Sequence, residues 1–363
     1  MSLDLKFTDL EYILYGGAFL GAGGGGSIVQ GLNIISQIKE EKKSLKLIDQ
    51  EEISDDELVV VSAGMGSPST AKFGWKNEHL KSFEILKKYF TNCYKKEIKY
   101  IIPLECGAGN FAIPLHTAAY YNLPIINGDG AGRAIPELEL TSFEINGIPI
   151  SPMSISDWQG NGAILLVNNG SVAEILARQI VSSFQGNAGI TLYPTVGKVL
   201  KNKYIPNTIT LARDIGSFFK SMQKNKKIQF EKLEKFIIEN LSGYILGEGI
   251  VKEKIIETRE GFDFGKIIIE TNKGILNIYT KNENIIAEQN NKILAMIPDL
   301  ISIVTYDGIP LTNVDIEKDM KVLVVGLKAN EILRKEKSLK YFTKLYKEIG
   351  FNNIEYIPIE KNL

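Results

Sequence analysis

Three short aliphatic runs, each followed within a few residues by glycine and each preceded by a stretch of helical period, dictate the architecture of the first third of this chain. The runs lie at 58–63, 100–104 and 123–126, and the helical stretches at 8–15, from Ser27 to about 41, at 77–91 and at 115–121. Strands alternating with helices at this spacing build a mostly parallel sheet covered on both faces. Such sheets hold ligands outside the carboxyl ends of their strands, where the glycine-rich loops fall.

Beyond Gly170 the pattern changes. Helical period continues at 171–184, 208–222 and 231–241, and short strands follow between 244 and 310. Two of these, 266–270 and 275–279, flank Thr271-Asn272-Lys273-Gly274 as a hairpin. Further runs at 285–287, 292–297 and 301–305 predict a small β-barrel or sandwich. A strand at 321–325 and a helix ending before Gly350 complete the chain. The fold class expected is α/β, with a layered N-terminal domain over 1–168 and a helical segment plus β-barrel over 169–363.

Composition narrows the partners. Lys and Arg number 42 against 43 Asp and Glu, so no overall field draws the protein to nucleic acid or to an anionic membrane. The basic excess at 198–235 lacks interleaved aromatics and reads as solvated helix surface. Two cysteines exclude a disulfide scaffold and a multi-cysteine zinc site, and two histidines leave any metal to lean on carboxylates. No cofactor is expected. Asp4, Asp9 and Glu11 near the start do not suit a signal peptide, and no apolar run approaches the roughly 20 residues that span a bilayer. The expectation is a cytoplasmic homo-oligomer acting on a small molecule.

Chemistry concentrates in residues 101–165, where seven charged residues stand in 65: Glu105, Asp129, Arg133, Glu137, Glu139, Glu144 and Asp157. Carboxylates in such apolar sequence need a partner, a proton or a function. Glu105 and Asp129 each follow a strand and enter a glycine-rich loop, so both can reach one crevice. Alternatively, Asp129 caps the next segment and Glu105 pairs with Arg133. Arg133 and Glu137 are spaced to meet on one helix face, unless Arg133 grips an anionic substrate group. Gly23, Gly24, Gly25 and Gly26 precede Ser27 at a helix start, which suits either anion contact or close backbone packing, and no Walker-type Gly-Lys follows. Cys106 is a nucleophile only if its pKa is lowered, and otherwise a small residue in a tight loop. His116 reads as a satisfied helix histidine and His79 as a surface one. Thr70, Lys72 and Trp75 form either a lid or a plain connection.

These motifs together resemble a known family. Leu20-Gly21-Ala22-Gly23-Gly24-Gly25-Gly26, Gly64-Met65-Gly66-Ser67-Pro68, Pro103-Leu104-Glu105-Cys106-Gly107-Ala108-Gly109-Asn110, Asp129-Gly130-Ala131-Gly132-Arg133-Ala134-Ile135-Pro136-Glu137 and Ala295-Met296-Ile297-Pro298-Asp299-Leu300-Ile301 are similar, in this order, to the S-methyl-thiohydantoin desulfurase-like proteins. The resemblance implies an N-terminal α/β domain, a C-terminal region with a β-barrel, and hydrolysis of an S-methylated thiohydantoin to a hydantoin and methanethiol. Thr70-Ala71-Lys72-Phe73 stands where the family pattern has an acidic residue, and Cys106 where it usually has glycine.

The function expected is hydrolysis of a small cyclic amide or thioimidate. Glu105 or Asp129 is then the base, the other or Glu137 the acid, Arg133 orients the substrate, and Asn110 or the Gly23 to Gly26 amides hold developing charge, with Thr70 at the rim. Two alternatives stand beside it: a binding or regulatory protein that keeps the crevice without the chemistry, and a metal hydrolase built on Asp129, Glu137 and His116.

Overall fold

The computed structural model describes residues 2–66, 75–184, 186–224 and 230–362. Its strands up to Pro206 are β1 (Leu3–Asp4), β2 (Lys46–Ile48), β3 (Leu58–Gly66), β4 (Ile98–Ile102), β5 (Ile125–Ile126), β6 (Gly128–Asp129), β7 (Met153–Ser156), β8 (Gly162–Leu165), β9 (Asn187–Val196) and β10 (Ile205–Pro206). All but β6 and β10, which pair with each other, form one eight-stranded sheet in the order β1-β2-β5-β4-β3-β9-β7-β8.

This sheet is mixed, which corrects the mostly parallel sheet expected. The alternating segment supplies the parallel pairs β2 with β5, β5 with β4 and β4 with β3. On the far side of β3 the pairings with β9, of β9 with β7 and of β7 with β8 are antiparallel, as is β1 with β2 at the other edge. The missed strands β7 and β9 carry hydroxyls where an apolar run would have announced them. Ser154 and Thr191 are fully buried, and both bond the Ser82 hydroxyl of an overlying helix, at 3.0 and 3.1 Å. A buried hydroxyl with such a partner costs little.

The helices of this part are α1 (Phe7–Leu20), α2 (Ile28–Glu40), α3 (Glu78–Tyr94), α4 (Ala108–Tyr121), α5 (Ser142–Ile145), α6 (Gly170–Ser183), α7 (Gly197–Leu200) and α8 (Thr208–Lys224). Helix α1 runs past the expected end at 15, through Gly16-Gly17. Those glycines mark close packing: a Cβ on Gly16 would strike the Ala212 backbone of α8, and one on Gly17 the carbonyl of Gly107. The loss of helix propensity, about 1 kcal/mol per glycine, is offset by backbone-to-backbone contact. His79 is buried rather than on the surface, with its Nε2 3.0 Å from His116 Nδ1, and burial holds His116 down at about 4.

After α9 (Phe230–Lys235) comes a second sheet of β11 (Tyr244–Arg259), β12 (Phe262–Thr271), β13 (Gly274–Lys281), β14 (Glu283–Gln289), β15 (Lys292–Met296), β16 (Leu300–Thr305), β17 (Pro310–Leu311) and β18 (Lys321–Leu327), followed by α10 (Glu331–Arg334) and α11 (Glu336–Glu348). It is antiparallel throughout, in the order β15-β14-β13-β12-β11-β18-β16-β17. The expected hairpin around Thr271 is present. Among the described residues no ladder joins the two edges, so the antiparallel sheet is shown and a closed barrel is not.

The second sheet packs on the N-terminal part through helices α1 and α8, with an apolar core and, beside it, a polar seam. Asn284 N donates to Ala22 O at 2.8 Å, Asn313 N to Gly23 O at 2.7 Å, and the Ser302 hydroxyl to Phe19 O at 2.6 Å. Arg133 closes it. Its side chain is fully buried, and it donates to Asn284 O at 2.9 Å, Asp299 O at 2.7 Å, Pro298 O at 3.3 Å and its neighbour Ala134 O at 2.9 Å. Burial pulls its pKa down to about 10, still protonated at neutral pH.

Arg133→Met, which keeps the stem but strands these carbonyls, should cost about 3–5 kcal/mol of stability in urea unfolding. Arg133→Lys should recover only part of it, because an ammonium cannot span the same fork. An unchanged unfolding midpoint in either variant would contradict the role assigned to Arg133.

Candidate active site

At the carboxyl ends of β3 and β4, where the seam opens, lies a cleft of about 150 Å³. Its walls come from both parts of the chain. The N-terminal side supplies Gly23 to Gly26, Met65, Trp75, Glu105, Asn110 and Glu137, and the second sheet supplies Asp263, Asn282, Glu283 and Asn313. A void of roughly this size holds one six-membered ring.

Glu105 stands three residues beyond the end of β4, in the loop that turns into α4. Both its oxygens accept hydrogen bonds: Oε1 from Asn110 Nδ2 at 2.7 Å and Oε2 from the Ile135 amide at 2.6 Å. Asn110 belongs to the first turn of α4, and its own amide donates to Gly25 O at 3.1 Å. Gly25 has φ +78 and faces Gly107 so closely that a Cβ would strike it. The glycine run therefore fastens the Glu105 loop in place.

Glu283 opens β14 and reaches the same cleft from the other side. It is 4% exposed, its carboxyl lies where a Cβ on Gly24 would stand, and its Oε2 is buried without a hydrogen-bond partner. Burial pushes its pKa up to about 8 against the pull of Arg133. Glu105 is raised well above the usual carboxylate range, first by burial and then by the charge of Glu283. Two carboxyl groups that repel each other in a low-dielectric space resist ionising together.

The other charges are already matched. Glu137 pairs with Lys281, and with Lys344 at 3.0 Å; burial opposes its ionisation, but the two ammonium groups outweigh it and keep its carboxyl low. Glu174 takes Arg178 Nε at 2.7 Å and the Leu138 amide at 3.0 Å. The Arg178 guanidinium also lies over Phe262, 3.8 Å from the ring centre.

The expected residues thus separate. Gly23, Gly24, Gly25, Gly26, Glu105, Asn110 and Glu137 line the cleft, whereas Asp129 and Arg133 lie behind its wall. Asp129 accepts the Ala131 and Gly132 amides, both at 2.6 Å, and the Cys106 thiol at 3.1 Å. Burial and the Asp129 charge push that thiol up, away from a reactive thiolate. Arg133, expected to orient an anionic group, spends its guanidinium on carbonyls instead. It shares no helix face with Glu137, because residues 130–137 form no helix. Thr70 and Lys72 fall outside the described residues. The metal set of Asp129, Glu137 and His116 does not assemble: each is engaged elsewhere, and among the described residues no three His, Cys, Asp or Glu side chains converge as ligands.

Glu283 and Asn313 were not legible as site residues. Lys281-Asn282-Glu283-Asn284 belongs to no motif singled out above, and its burial follows only from docking of the second sheet. The available signal was four polar residues in a row between two strands of apolar alternation.

Comparison with known proteins shows the family and the fold. The S-Me-THD-like N-terminal domain model matches residues 8–166 and the S-Me-THD-like C-terminal domain model residues 168–359. A crystal structure of a protein from Chromobacterium violaceum is 22% identical, covers 98% of this chain and 100% of its own, and superposes with a TM-score of 0.86, which shows a shared fold. No curated protein matches. Among the described residues no helix is long and apolar enough to cross a membrane.

Glu105→Gln must turn an amide N–H toward either Asn110 or Ile135, setting donor against donor. Its expected cost is about 1–3 kcal/mol in chemical denaturation. Glu283→Gln, whose Oε2 has no partner to lose, should cost less. The reverse ranking would contradict the hydrogen bonding assigned to the two carboxyls.

Proposed function

We propose, since the chain belongs to the S-Me-THD-like family, that it hydrolyses a small nitrogen heterocycle of the S-methyl-thiohydantoin or hydantoin kind. The observation that carries the reading is the pair Glu105 and Glu283, two carboxyl groups with raised pKa values on opposite walls of a ring-sized cleft. Separated protonation states within one pair supply a base and an acid together.

Their surroundings assign the roles. Glu105, with both oxygens accepting, is held as the carboxylate, and the proton rests on Glu283, whose Oε2 is unpartnered. Glu105 takes a proton from water as the oxygen bonds to the ring carbon that bears sulfur. Glu283 gives its proton to the adjacent ring nitrogen, so the tetrahedral intermediate is neutral overall. Collapse forms the C=O bond and breaks C–S: the departing methanethiolate takes up the proton that Glu105 received, and the hydroxyl proton passes to the Glu283 carboxylate. The ring nitrogen keeps the proton that Glu283 gave it, so hydantoin and methanethiol leave with both carboxyl groups restored. Asn110 keeps Glu105 aimed, and the glycine run lets Glu283 approach.

Thiol release from S-methylated thiohydantoins tests this, with and without chelator. Wild type should release thiol, and Glu105→Gln and Glu283→Gln should each lower kcat by roughly 10²–10⁴ while still binding the ring. The wild-type rate should fall above about pH 8, where Glu283 loses its proton, and on the acid side from above the ordinary carboxylate range. Glu283→Gln should lack the alkaline fall. Tight binding without thiol release would favour the binding-protein reading instead.

A further inference from the structure

Helix α6 places its charges inward and its aliphatic side chains outward. Glu174 and Arg178, its two charged residues, line the cleft, where Glu174 takes the Leu138 amide at 3.0 Å and Arg178 Nη1 reaches Gly261 O at 2.8 Å. The outer face is a stripe of Val172, Ile175, Leu176 and Gln179, with Ile175 61% and Leu176 44% exposed. Leu166, four residues before the helix, is 73% exposed. This surface is also neutral: every exposed residue from Trp158 to Ser183 is uncharged. Helix α11 shows the ordinary arrangement, with Glu336, Lys337, Lys340, Lys344 and Lys347 outside and Phe342 and Leu345 buried.

Aliphatic side chains on the outside of a helix give up the free energy of burial until something covers them. Positions i, i+3, i+4 and i+7 form one ridge, the unit by which one helix packs on another. The missing charge selects the cover. Around a two-fold axis a patch meets itself, so any charge on it is set against its like, and this patch carries none. A membrane surface asks instead for lysines or arginines beside the apolar stripe. The one cation of α6, Arg178, is held inward by Glu174 at 2.7 Å.

We propose that the outer face of α6, with Val172, Ile175, Leu176 and Gln179, is a two-fold interface at which two copies of this chain pack helix against helix. The same helix carries a wall of the cleft on its inner face, so the partner copy backs that wall. The inference is independent of the reaction proposed above.

Light scattering on the eluting full chain and sedimentation equilibrium over a dilution series test it. Wild type should have twice the 40.4 kDa mass of one chain. Its dissociation constant should change by less than about threefold between about 0.05 and 0.5 M salt, because the interface holds no charge to screen. Ile175→Lys, which sets two ammonium groups near the axis, should weaken association by about a hundredfold or more and give a monomer with the wild-type circular dichroism. Ile175→Ser and Leu176→Ser, which add no charge, should each weaken it about tenfold, and they decide the matter if the lysine variant does not fold. Leu211→Lys, on α8 at 43% exposure, should remain a dimer. A wild-type monomer throughout the series, a dimer that none of the α6 variants weakens, or one that Leu211→Lys dissociates equally overturns the proposal.

Discussion

A fully buried guanidinium holds the two halves of this molecule in register. Arg133 leaves the N-terminal half and ends among the carbonyls of Asn284 in β14 and of Pro298 and Asp299 just before β16. Carbonyl dipoles replace the lost hydration, and the nearby carboxyls of Glu283 and Asp299 add to them. Such an arrangement is geometrically demanding, because a planar fork with fixed donor directions tolerates little sliding between its partners. The position of Glu283 relative to Glu105 follows from that fixed seam.

The glycine run completes the constraint by steric means. Gly23 lies against the side chains of Asn284 and Asn313, Gly24 against Glu283, and Gly25 against Gly107. A motif that reads as an anion cradle is also a surface from which side chains have been removed so that three neighbouring segments can close on it. Packing and function share these positions, since the same absence of Cβ atoms that permits docking admits the Glu283 carboxyl to the cleft.

Much of this was legible in the sequence. The aliphatic runs at 58–63 and 100–104 mark the central strands, and the low charge density of 101–165 points to Glu105 and its loop. Among the described residues, the glycine run, Gly64 to Gly66, Glu105, Asn110 and Glu137 of the S-Me-THD-like motifs line the cleft, and Arg133 lies on the seam. What was hidden depended on tertiary contact. Ser154 and Thr191 obscure two strands because hydroxyls bonded across a helix–sheet interface look like surface. Glu283 was not singled out, because its burial depends on docking of the second sheet. Arg133 and Glu137 suggested a helix pair by spacing alone, and each found its partner in residues more than a hundred positions away.

The division of the carboxyl pair between the halves has a consequence for the life of the chain. During synthesis Glu105 emerges long before Glu283, and until the second sheet docks the charge of Glu283 is absent from its surroundings. The facing pair of carboxyl groups comes into being only when the late strands arrive. A nascent or truncated N-terminal half has the loop and the glycine run but only one of the two carboxyls, so the cleft and its pair form in a single docking event.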